Sequence, residues 1–102
     1  GADAAINYRE QNFSEEINRL TEGKGVNVIL DMVGGPYFPK NIRLLADEGR
    51  LVQIALMQGS KAEVDFRSLL LKRVTLTGST LRPRSVEEKT KIAQALQKNV
   101  WP

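Results

Sequence analysis

The sequence contains no cysteine and no histidine among its 102 residues. Without cysteine there is no thiolate nucleophile and no disulfide framework, and without either residue the usual zinc ligand sets are missing. The absence of histidine also removes the side chain most often used as a general base near neutral pH. No apolar run approaches the ~20 residues that a membrane-spanning helix needs. Aromatic residues make up only 6% of the chain, and a net charge of +3 is spread among interleaved acids. A nucleic-acid binder concentrates its basic residues in a stripe with aromatics between them, so neither nucleic acid nor a membrane is expected as a partner. A cysteine-free chain of this composition fits a cytoplasmic protein.

What is present is an alternation of strand-like and helix-like segments. Ala4 to Tyr8 reads as a short strand. Asn12 is a candidate N-cap with Glu15 at the capping-box position, and Phe13, Ile17 and Leu20 lie on one face of the helix that follows. Gly23 and Gly25 mark its end. Val26 to Val33 is almost continuously apolar, as in a parallel strand covered on both faces. Gly34-Gly35-Pro36 turns the chain into a helix over Tyr37–Asp47, with Pro39 in its first turn and Ile42, Leu45 and Ala46 inward.

The next strand is Leu51 to Ala55, followed by a polar loop from Gln58 to Glu63. A short helix over Asp65–Leu71 directs Phe66, Leu69 and Leu70 to the core. Arg73 to Ser79 is rich in β-branched residues and reads as a strand. Ser85 and Glu88 open a last helix, with Ile92, Ala93 and Leu96 inward and the charges of Glu87 to Lys91 solvated. The order β-α-β-α-β-α-β-α implies an α/β fold around a parallel sheet. Ligands of such sheets bind beyond the carboxyl ends of the strands. That directs attention to the loops after Tyr8, Val33, Ala55 and Ser79.

Several stretches together resemble the zeta-crystallin-like quinone oxidoreductases of the medium-chain dehydrogenase/reductase superfamily. They are Gly1-Ala2-Asp3 with Ile6-Asn7-Tyr8-Arg9, Thr21 to Val28, Asp31-Met32-Val33-Gly34-Gly35, Gly49-Arg50-Leu51-Val52, Gly78 to Arg82 and Val100-Trp101-Pro102. The resemblance covers essentially the whole chain. It implies the C-terminal part of a Rossmann-like, doubly wound parallel sheet, with residues 1–102 forming a partial NAD(P)-binding domain. No Gly-rich phosphate loop stands in this sequence, and the chain's ends are expected to fall inside a longer protein. The family's strand order of 3-2-1-4-5-6 would leave the strand at Ala4 to Tyr8 without its neighbours. The expected result is a three-stranded core near Val28, Val52 and Leu76, plus a displaced first strand.

The resemblance further implies a zinc-independent reductase that passes a hydride from NADPH to a quinone, with this portion alone inactive. Tyr8, and beside it Arg9, would hold the adenosine 2′-phosphate; the plain alternative is a Tyr ring packed on the next helix. Met32, Val33 and Gly34 would line the adenine side, with Gly34 at a close approach or at positive φ, whereas Asp31 reads as a turn acceptor. Ile54, Ala55 and Leu56 would face the nicotinamide from an apolar, water-poor wall, or serve as core alone. Ser79, Thr80 and Leu81 would hold the carboxamide. No residue here is expected to be catalytic or to bind metal. The strand Val74–Thr77 would pair across a homodimer axis. Two other readings stay open: an enoyl-thioester reductase of the same superfamily, and a non-catalytic dimerisation module.

Overall fold

The computed structural model describes residues 1–102. Its first helix, α1 (Phe13–Leu20), begins where Asn12 Oδ1 accepts the amides of Ser14 and Glu15 at 3.0 and 3.4 Å. Glu15 and Glu16 stand in its first turn and Arg19 in its last, all three favourable to the helix dipole. Strand β1 follows (Val26–Asp31), then α2 (Tyr37–Leu44) and β2 (Leu45–Gln53). Helix α3 (Arg67–Lys72), strand β3 (Thr75–Gly78) and helix α4 (Val86–Asn99) complete the chain. The strands form one parallel sheet in the order β1-β2-β3. This is the α/β, Rossmann-like arrangement expected from the alternation. No helix is long and apolar enough to cross a membrane.

The expected first strand does not form: Ala4 to Asn7 join none of the three strands. Instead Asn7 nucleates a turn, its carbonyl accepting from the amides of Glu10 and Gln11 and its Oδ1 from the amide of Arg9.

Helix α2 stops at Leu44, short of the expected Asp47. Leu45 is extended, pairs with Val26 and is 1% exposed, so burial and the β1 ladder take it out of the helix. Ala46 to Gly49 then bulge out before the register resumes at Val28↔Arg50. Pro39 lies in the first turn of α2, where its missing N–H costs nothing. Lys72 Nζ donates to the carbonyls of Arg43 and Leu45 at 2.7 and 3.0 Å, tying α3 to the α2–β2 junction. Asp65 accepts the Arg67 amide ahead of α3, and its hydrogen bonds with the Arg67 guanidinium hold the Asp65 carboxyl down to about 2.

The core is Ile42, Leu45, Leu51 and Val74, with Ile29, Phe38, Val64, Leu69 and Leu76 packed around it. It lies on one face of the sheet. On the other face Val28 and Leu30 are 62% and 63% exposed, so β1 is not covered on both sides as its apolar run suggested. Leu20, Phe66, Leu70, Ile92 and Leu96 are likewise exposed rather than core. Their helices are amphipathic, but no second layer lies opposite those faces. The radius of gyration reflects this: 15.6 Å, against about 13 Å for a compact domain of this length.

Candidate functional site

The carboxyl ends of β1 and β2 are fastened together by one polar cluster. Asp31 is 6% exposed. Its Oδ2 accepts from the Gly34 amide at 2.8 Å and from Gln53 Nε2 at 2.6 Å. Gln53 Nε2 also donates to the Ala55 carbonyl at 2.8 Å. Burial by itself pushes the Asp31 carboxyl up, but the bonds from Gln53, Gly34 and Val33 outweigh it, and the carboxyl sits below its ordinary value. The Asn41 carboxamide adds to that effect without hydrogen-bond geometry, its buried Nδ2 being unpartnered. Asp31 is thus a turn acceptor, as its position implied.

Past the cluster the two loops run side by side, with amides of Ile54, Met57 and Gln58 donating to the carbonyls of Asp31, Met32 and Val33. Gly34 and Gly35 have φ of +69° and +49°. A Cβ on Gly34 would stand 2.7 Å from the Gly59 carbonyl oxygen, and one on Gly35 2.5 Å from that of Gln58. Positive φ and close approach both hold at Gly34, and the approaching backbone is the protein's own.

Among the clefts that open around this end of the sheet are three lined by residues singled out in the sequence. An apolar one of about 470 Å³ brings Tyr8 together with Met32 and Val33, closed by Phe13, Tyr37 and Met57. It adjoins a polar cleft of about 320 Å³ that shares Tyr8, Phe13 and Tyr37 and adds Arg9, Glu10 and Lys40. Phe13 and Tyr37 form the common wall, ring centroids 4.9 Å apart. Arg9 Nε donates to the Tyr8 hydroxyl at 3.4 Å. Neither Arg9 nor Lys40 has an ion-pair partner. The third cleft, about 600 Å³, is lined by Ile54, Ala55, Leu56, Ser79 and Thr80 together with Arg84. Arg84 Nε donates to the Thr80 carbonyl at 2.9 Å and its Nη1 to Glu88 Oε2 at 3.0 Å.

Of the residues singled out in the sequence, Tyr8, Arg9, Met32 and Val33 therefore meet at the first two clefts. Ile54, Ala55, Leu56, Ser79 and Thr80 meet at the third. Gly34 faces a separate hollow beside Leu56 and Gln53. Leu81 is 55% exposed and lines none of these clefts. Phe13, Tyr37, Lys40, Gln53 and Arg84 also line these clefts, and none of them was expected there from the sequence. Only Gln53 carried a local signal, a lone polar residue inside the apolar run Leu51 to Leu56.

A model of the family described as zinc-binding dehydrogenase matches residues 1–98. The chain is 41% identical over 78 residues to quinone oxidoreductase-like protein 2 of Bos taurus, a match covering 76% of this chain and 22% of that protein. It is 30% identical over 99 residues to quinone oxidoreductase of Homo sapiens, covering 95% and 29% respectively. A crystal structure of Escherichia coli quinone oxidoreductase complexed with NADPH superposes with a TM-score of 0.76 at 29% identity, covering 94% of this chain and 30% of that one. The chain thus spans between 22% and 29% of the length of these two relatives. The family's description includes zinc, but with no Cys or His here, and no group of three or more Asp or Glu placed to hold a metal, these residues do not fit a zinc ion.

Proposed function

This chain belongs to the zinc-binding dehydrogenase family, and on that premise we propose that it is the distal part of the cofactor-binding domain of a longer NADPH:quinone oxidoreductase. The observation that carries the reading is the pairing of clefts at the carboxyl end of β1, an apolar slot adjoining a basic one across the Phe13–Tyr37 wall. A flat, uncharged base fits the slot between Tyr8 and Met32–Val33. A phosphate on its ribose fits the neighbouring cleft, where the Tyr8 hydroxyl and the Arg9 guanidinium can donate to it. At the third cleft Ile54, Ala55 and Leu56 keep water from a nicotinamide ring, while Ser79 and Thr80 offer backbone groups to its carboxamide. Gly34 holds the turn that brings these loops together, and Leu81 follows the carboxamide segment without lining the cleft.

The bound cofactor supplies the hydride. This chain's residues bind and orient it, and none is assigned an acid, base or nucleophile role. Quinone as acceptor is supported by the names of the Bos taurus and Homo sapiens relatives. Homodimerisation through Val74–Thr77 belongs to the same reading, supported by the free outer edge of β3.

The test is cofactor oxidation by the full-length protein with a simple quinone and an enoyl thioester as competing acceptors. Turnover with the quinone, faster with NADPH than with NADH, is expected. Turnover with the thioester alone would move the function to enoyl reduction. Neither turnover nor NADPH binding would leave the dimerisation module as the reading.

A further inference from the structure

We propose that Lys40 is a second cation of the adenosine 2′-phosphate site, so that selectivity for NADPH over NADH is set by α2 as well as by the Tyr8–Arg9 turn. The inference rests on the cofactor reading above and adds to it a residue that neither position in sequence nor family resemblance singled out.

Lys40 stands in the first turn of α2, in a helix with no acidic residue there. A cation at a helix N-terminus opposes the macrodipole. The small cost of that placement calls for a favourable contact from elsewhere in the fold. The fold supplies one. Lys40 lines the same cleft as Tyr8 and Arg9, and its ammonium lies 5.6 Å from the centroid of the Phe13 ring. That cation–π contact sets it against the wall separating the basic cleft from the apolar slot. A phosphate on the ribose of a base in the slot would meet this border.

The charge balance agrees. Arg9 and Lys40 face the cleft without ion-pair partners, and Glu10 is the one acid lining it. The cleft therefore carries an excess of one positive charge before any ligand enters. A phosphate monoester, with a charge of about −1.5 to −2 near neutral pH, finds two cations and a phenol there. A free ribose hydroxyl, as in NADH, gains nothing from Lys40.

The experiment is equilibrium binding to the full-length protein, comparing NADPH with NADH and 2′-AMP with 5′-AMP, for wild type, Lys40→Gln and Lys40→Arg. Lys40→Gln should weaken NADPH and 2′-AMP by about tenfold, the scale of one charge-assisted hydrogen bond. NADH and 5′-AMP should be unaffected, and Lys40→Arg should keep most of the 2′-phosphate affinity. If wild type prefers NADPH and Lys40→Gln leaves that preference intact, Lys40 is not part of the site while the cofactor reading stands. Equal weakening of all four ligands would also overturn the inference, since it reports a structural role. If wild type does not distinguish NADPH from NADH, the cofactor reading fails and the inference with it.

Discussion

Gln53 Nε2 lies 2.6 Å from Asp31 Oδ2 and, on its other side, 2.8 Å from the Ala55 carbonyl oxygen. One carboxamide thus fastens the end of β1 to the end of β2. Asp31 in turn holds the Gly34 amide. These bonds, together with the backbone bonds from Ile54, Met57 and Gln58, join the loop at Met32–Val33 to the loop at Ile54–Leu56.

Gln53→Leu should therefore cost more than an ordinary polar-to-apolar change on a strand. It leaves the buried Asp31 carboxylate short of a donor, a loss of about 1–3 kcal/mol. Urea denaturation of the full-length protein would read this as a lower midpoint at unchanged slope. NADPH affinity should fall as well, with Gln53→Asn restoring neither fully because it is one methylene shorter. A variant as stable and as tight-binding as wild type would show that the tether does not set the loops.

Asp31 also gives the site a pH dependence with a definite sign. Its carboxyl is held below its ordinary value of 3.8. The associated stabilisation is therefore fully present above that value and is lost as pH falls through the lowered one. Asp31→Asn should lower stability at pH 7, and its deficit relative to wild type should shrink in acid. Denaturation midpoints of both proteins at pH 7, 5 and 3 measure this. A deficit that grows toward low pH would contradict the role of the ionised carboxylate.

Gly34→Ala and Gly35→Ala should each be destabilising by about 1–3 kcal/mol, the cost of a side chain in the left-handed region. The added Cβ would stand 2.7 or 2.5 Å from carbonyl oxygens of Gly59 or Gln58, so the 54–59 loop would also have to withdraw. Thermal melts report the first effect. Changed protease sensitivity of that loop reports the second, and unaltered cleavage would mean the crowding is relieved elsewhere.

Thr75 and Thr77 lie on β3, whose only pairing is with β2. Replacing both by lysine places charge along an edge strand. If the full-length protein dimerises through this edge as proposed, light scattering should then show a shift from dimer to monomer. An unchanged dimer would place the interface away from β3.

Much of the local structure was legible in the sequence because its causes are local. Asn12 and Ser85 cap α1 and α4 as read, each accepting amides two or three residues ahead. The capping-box return followed at neither helix: no bond joins the Asn12 amide to Glu15, and Glu88 accepts from Arg84 instead. The turn at Gly34-Gly35-Pro36 was readable for the same reason; glycine permits the positive φ that both Gly34 and Gly35 adopt but does not require it.

The sequence by itself determined the alternation of helices and strands from Asn12 onward, the parallel sheet it implies, and the end of that sheet beyond which Met32, Ile54 and Ser79 lie. These follow from side-chain periodicity and turn chemistry, which act over a few residues. Only the tertiary structure decided which amphipathic faces are covered, and it left Leu20, Ile92 and Leu96 exposed, because burial depends on what the fold places opposite. It also brought Gln53 to Asp31 and Lys40 to Arg9. Residues so far apart along the chain meet through strand register and helix packing, and no local pattern encodes their distance.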